Sequence, residues 1–191
     1  KHPNKMFFSY ANTVATIDFA KQFKGHGWVG IKYQLEPEEE YNEIILHIRF
    51  KETDAKLQQE TLGILGVNLI HGAYYKHNDP KKLLRYLYDH ISKDQIEIDT
   101  INFSGPTFAN VDNRLMSLQL VKNGMTDAVM FGPDGNNILP ASILYKKNIL
   151  ALRGSFRPVT QVNMDMYEKS LKMFYEENKV ERENTLVIFE I

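Results

Sequence analysis

Residues 95–135, QIEIDTINFSGPTFANVDNRLMSLQLVKNGMTDAVMFGPDG, constrain the chain most, because they read as strand, helix and strand with glycine at both strand ends. Ile96, Ile98, Thr100, Ile101 and Phe103 make a β-rich run, and Ser104-Gly105-Pro106 stops it by removing a backbone donor and fixing φ. Asn110 or Asp112 is placed to cap the next helix. Leu115, Met116, Leu118, Leu120 and Val121 form its broad apolar face, and Asn123-Gly124 supplies a left-handed stop. A second, buried strand over 128–131 closes at Gly132-Pro133-Asp134-Gly135. Two apolar strands joined through a helix favour a parallel crossover, and in such units ligands sit beyond the carboxyl ends of the strands. Ser104, Gly105, Asp112, Asn113, Arg114 and the Gly132 to Gly135 turn lie at or near that edge. They serve a ligand, or only the turn and cap chemistry that demands the same residue types.

The flanking sequence supplies the rest of a mixed sheet. Val29, Ile31, Tyr33 and Leu35 alternate with polar partners, as do Ile44, Leu46, Ile48 and Phe50, so strands 28–35 and 43–51 are expected to pair antiparallel across the acidic loop EPEEEYNE. Before them, residues 5–19 read as two short strands or one bent one, interrupted at Asn12. Gly25-His26-Gly27-Trp28-Val29-Gly30 formally matches a dinucleotide-binding glycine motif, but a strand follows where that motif needs a helix. These glycines read instead as a turn that lets Trp28 pack. Residues 54–75 carry apolar residues at helical spacing with Gly63, Gly66 and Gly72 interposed, and Gln58, Gln59, Asn68 and His71 are expected to form an interior hydrogen-bond network there. Asp79-Pro80 opens a further helix buried through Leu83, Leu84, Leu87 and Ile91, with His77 and His90 exposed. Asn163 is expected to cap a late amphipathic helix, and 185–191 reads as a buried strand.

Charge narrows the function classes. The formal net charge is −1, so no global field steers the chain onto nucleic acid or an anionic membrane. Between Asp134 and Asp165 no acidic residue occurs, while Lys146, Lys147, Arg153 and Arg157 add positive charge. Lysines and arginines near glycine turns suit a phosphate or carboxylate; ordinary solvated loops would look the same. With no cysteine there are no disulfides, thiolate chemistry or zinc–thiolate sites, and an intracellular, cytoplasmic protein is the plainer expectation. No run approaches the roughly 18 apolar residues of a membrane span. The six histidines show no ligand spacing, and the common nucleotide-hydrolase, esterase and metalloprotease signatures are missing, so no metal, cofactor or catalytic residue is assigned.

Taken together, GHGWVGIKYQ, LQQETLGILGVNLI, EIDTINFSGP, VDNRLMSLQLV, MFGPDG, LYKKNIL and RGSFRPVT resemble a family of bacterial proteins labelled nicotinate or nicotinamide mononucleotide adenylyltransferases, over roughly residues 6–166. The resemblance implies a family identity and no activity. The [HT]-x-G-H motif of adenylyltransferases is not found, and Gly25-His26-Gly27-Trp28 does not supply it.

The sequence therefore predicts a single α/β (or α+β) domain over 1–191, compatible with a piece of a longer polypeptide. Its mixed sheet has an antiparallel N-terminal part and a crossover at 95–132. The expected function is to bind an anionic, phosphorylated or nucleotide-like small molecule, with a nucleotide-related transferase as the enzymatic option. Ser104, Gly105, Asp112, Asn113, Arg114, Lys146, Lys147, Arg153 and Arg157 are the expected ligand residues. The competing class is a non-catalytic interaction domain that forms a homodimer through the glycine-bearing helix 54–75 or the sheet edge.

Overall fold

A computed structural model describes residues 7–15, 25–177 and 180–191. The chain divides into two compact units, Lys1–Leu139 and Pro140–Ile191, and each combines helices with strands, which places the protein in the α/β class.

In the first unit, β1 (Phe7–Ala15), β2 (His26–Gln34), β3 (Asn42–Phe50) and β4 (Ile96–Ser104) form an antiparallel sheet in that order. The pairing across the acidic loop is as expected, with Ile31 opposite Ile44 and Trp28 opposite His47. β1 runs unbroken through Asn12; positions 5, 6 and 16–19 of that stretch lie outside the described residues. β2 begins at His26, so the Gly-His-Gly segment is strand and not turn. Gly27 is needed because β1 comes close: a Cβ there would lie 2.4 Å from the Thr13 carbonyl oxygen. Trp28 consequently does not pack into a core but stands on the sheet's outer face, 42% exposed.

Alternation sorts the sheet into two faces. Val29, Ile31, Tyr33, Ile44, Leu46, Ile48, Phe50, Ile98, Ile101 and Phe103 point inward against Leu65, Leu69 and Ala73 of α1 (Ala55–Tyr75) and Leu83 and Leu84 of α2 (Pro80–Tyr86). Each such side chain contributes roughly 1.5–3 kcal/mol by leaving water. Asp54 caps α1 by accepting from Lys56 N–H and Leu57 N–H at 2.9 and 3.0 Å. The interior polar network of α1 exists in part. Asn68 donates to the Leu87 and Asp89 carbonyls at 3.1 and 2.7 Å, and Gln58 donates to the Glu52 carbonyl at 2.9 Å. His71 instead packs its ring against Tyr75 and Tyr86, and Gln59 is exposed. His90 is exposed as expected, whereas His77 is half-buried, with Nδ1 3.0 Å from the Ala73 carbonyl oxygen.

After β4 the order helix, strand is as read, with α3 (Asn113–Lys122) capped by Asp112 and ended by Gly124 at φ +66°. Only Met116 and Leu120 of its apolar residues are buried; Leu115 and Leu118 face outward. The parallel crossover is not formed. β5 (Met130–Phe131) pairs antiparallel with β6 (Asn137–Ile138), and Ala128 is exposed. Local chemistry explains the difference. Asp134 accepts the Asn136 N–H at 3.0 Å, which stabilises the Gly-Pro-Asp-Gly turn, so the short apolar run folds back at once. The outer edge of β4 is closed by side chains instead. Asn113 Oδ1 accepts the Phe103 N–H at 2.8 Å while its Nδ2 donates to the Phe103 carbonyl at 3.0 Å, and Asn137 Nδ2 donates to the Ile101 carbonyl at 3.2 Å.

The second unit holds α4 (Pro140–Leu144), β7 (Asn148–Arg153), α5 (Gln161–Glu176) and β8 (Thr185–Glu190). Here the strands are parallel, from Asn148 opposite Thr185 to Arg153 opposite Glu190, and the connection between them passes through α5. Thr160 is the cap of α5, with Asn163 as its reciprocal partner: Asn163 N–H donates to Thr160 Oγ1, and Thr160 N–H donates to Asn163 Oδ1 at 2.8 Å. β8 is half-buried rather than buried, and Phe189 is 53% exposed.

Candidate functional site

A β-bulge builds one side of the site. Ile48 pairs with Ile98 and His47 with Thr100, which leaves Asp99 as an extra residue in β4. The core-facing residues on either side are Ile98 and Ile101, so Asp99 and Thr100 both turn to the outer face. There Asp99 Oδ1 lies 2.7 Å from His47 Nδ1, with His47 2% and Asp99 8% exposed. A carboxylate at that distance makes Nδ1 the protonated nitrogen of His47. Its Nε2 is 3.3 Å from Nδ1 of His26, which is exposed. Trp28 meets the His47 ring edge-on at a centroid distance of 5.0 Å.

Beside this cluster is a cavity of about 640 Å³, whose wall includes Trp28, Thr100 and Asn102 of the sheet, Asp112 and Arg114 of α3, and Asp134 of the β5–β6 turn. The α3 end is held rigidly. Asp112 accepts the Arg114 backbone N–H at 2.9 Å and two side-chain bonds, from Nε at 3.1 Å and Nη2 at 2.8 Å. The Arg114 guanidinium, followed by the backbone donors, holds the Asp112 carboxyl down at about 2. A cation in the first turn of a helix opposes the helix dipole, and this pair is what compensates it. Asp134 is likewise held below the usual carboxylate range, chiefly by the Asn136 backbone N–H. The wall thus carries two carboxylates and one guanidinium.

Of the expected ligand residues, Asp112, Asn113 and Arg114 line this cavity. Asn113 is occupied in closing the β4 edge. Ser104 and Gly105 lie outside the lining: Ser104 pairs opposite Glu43 at the end of β4, and Gly105 makes the turn at φ +102°. Lys146, Lys147, Arg153 and Arg157 belong to the second unit and are not part of the lining. Arg153 donates to Glu190 at 2.6 Å, and the Lys146 ammonium sits 5.1 Å over the Tyr145 ring. Sequence reasoning passed over Trp28, His47, Asp99 and Thr100. One signal was present: the two polar residues Asp99-Thr100 between Ile98 and Ile101 break strict alternation, as a bulge does.

Among the described residues, no group of three or more His, Asp and Glu side chains is arranged to hold a metal ion. None of their helices is long and apolar enough to cross a membrane. No family model, no curated protein and no solved structure matches the chain.

Proposed function

We propose that the Lys1–Leu139 unit binds a small nucleotide-like molecule in the cavity on the outer face of its sheet. The observation that carries this reading is that Trp28 and Arg114 line the same cavity. A partly exposed indole is a stacking platform for a planar base, worth roughly 1–3 kcal/mol per base. Thr100 and Asn102 add hydroxyl and amide groups to the wall, the ionised Asp112 accepts from ligand hydroxyls, and Arg114 keeps N–H donors beyond those given to Asp112. A single guanidinium shared with a carboxylate suits a nucleoside or a mononucleotide and not a polyphosphate.

Trp28 is the chain's one tryptophan, so its fluorescence reports the cavity directly. Titration with nucleosides and mononucleotides should give a saturable change. Arg114→Ala should remove the extra affinity of the mononucleotide over the nucleoside. No saturable change with any of these ligands would overturn the reading.

A further inference from the structure

The first unit's sheet has an open edge. Among the described residues β1 pairs only with β2, through all nine residues and without a shift in register, and no strand lies along its other side. A bare edge presents unpaired N–H and C=O groups, and proteins guard such edges with charged residues, proline or a bulge. β1, FFSYANTVA, has none of these. Tyr10 and Val14 pack against the core, so Phe8 and Asn12 share that inner face, while Ser9, Ala11 and Thr13 point outward and are exposed. On the inner side a groove of about 410 Å³ runs between β1 and α1. Tyr10, Asn12, Gly63, Gly66 and Val67 are among its walls, and no charged side chain is. Outside the helix backbone nothing lies within 4 Å of the place a Cβ of Gly63 would take, and Val67, one turn on, is 65% exposed.

We propose that this edge is the interface of a homodimer, in which β1 pairs antiparallel with β1 of a second copy about a two-fold axis at Ala11 and joins the two four-stranded sheets into one. The strand is complementary to itself in that register. Position 8 faces 14, position 9 faces 13 and position 10 faces 12, so Phe8, 51% exposed, meets Val14 of the other copy. Ser9 likewise meets Thr13, and Tyr10 meets Asn12. These are an aromatic with a β-branched residue, two hydroxyls, and a phenol with an amide, with no charge opposite another. The same axis engages the helix. Tyr10 and Asn12 flank Ala11 and also wall the groove, so the two-fold brings the second α1 alongside the first near Gly63, where the missing Cβ permits close approach. A nine-residue strand edge and a 21-residue helix flank are both about 30 Å long, and two such layers give each copy a contact band of roughly 600 Å², of the order of the about 800 Å² per partner in stable complexes. A strand from another protein would satisfy the edge backbone alone, whereas a second copy matches the strand and the helix flank together.

Sedimentation equilibrium of the full chain at micromolar concentrations should give twice the chain mass of 22.2 kDa. Ser9→Glu combined with Thr13→Glu sets like charges opposite each other on both sides of the axis and should weaken association by about tenfold or more. Ser9→Glu combined with Thr13→Lys sets opposite charges across the same positions and should restore the dimer. Both side chains are exposed, so both variants should keep the circular dichroism spectrum of the parent. Val67→Glu addresses the helix layer separately and should also weaken the dimer. A parent chain that stays at 22.2 kDa overturns the proposal and leaves the edge to a strand of another protein. So does a dimer that the double glutamate variant leaves intact, because the contact then lies elsewhere.

Discussion

Gly105 illustrates how a single residue sets the site. Its φ of +102° is open to glycine and hostile to other residues, and a Cβ there would sit 2.3 Å from the Tyr41 carbonyl oxygen. Asn42 Oδ1 accepts the Thr107 N–H at 2.8 Å just beyond it, so the strand end is tied to the turn on both sides. Gly105→Ala should destabilise the protein by at least about 2 kcal/mol, read from denaturant unfolding, since strain and a backbone clash act together. Asp112 gives a second residue-scale expectation. Its folded-state pKa is depressed to about 2, so its contribution is present above the ordinary carboxylate range and is lost as pH falls from that range towards about 2. A carboxyl titration followed by NMR should place the Asp112 midpoint near that value, and Arg114→Ala should raise it. The cap at Asp112 and its compensation of Arg114 were legible, because both follow from neighbours two residues apart. The Asp99–His47 contact spans 52 residues and exists only in one strand register, so no local pattern could announce it.

At the scale of elements, helices were more legible than strand partners. The caps Asp79 and Asp112 and the buried stripes of α1 and α2 are local facts of spacing and hydrogen bonding. β5 was misplaced because an apolar run before a glycine turn is equally suited to a sheet and to a hairpin, and the turn decided. In the place where a parallel neighbour was expected, the Asn113 side chain copies a strand's donor and acceptor for Phe103. Asn113→Ala should therefore cost about 1–3 kcal/mol, as two half-buried backbone groups lose their partners, and hydrogen exchange at the Phe103 amide should accelerate. Asn113→Ser, with one short hydroxyl, should recover only part of this. In the second unit, Thr160→Ala should cost roughly 1 kcal/mol through loss of the α5 cap. That change should leave the Trp28 ligand response untouched, because every residue of the cavity wall lies in the first unit.

The whole molecule distributes its apolar burial unevenly. Among the described residues, every buried hydrophobic side chain except Leu152 lies in the Lys1–Leu139 unit, and so do the cavity and the Asp99–His47–His26 cluster. A unit with its own closed core satisfies the main requirement for folding alone, whereas one that buries a single hydrophobic side chain among its described residues cannot offset its chain entropy. Residues 1–139 expressed alone should unfold in one cooperative transition by circular dichroism. They should also keep the single-tryptophan fluorescence of the full chain and its response to nucleosides and mononucleotides. Residues 140–191 alone should show no cooperative transition. If instead the 1–139 fragment melts without cooperativity, the core of the first unit is insufficient by itself, and the site it carries requires the whole chain to hold its shape.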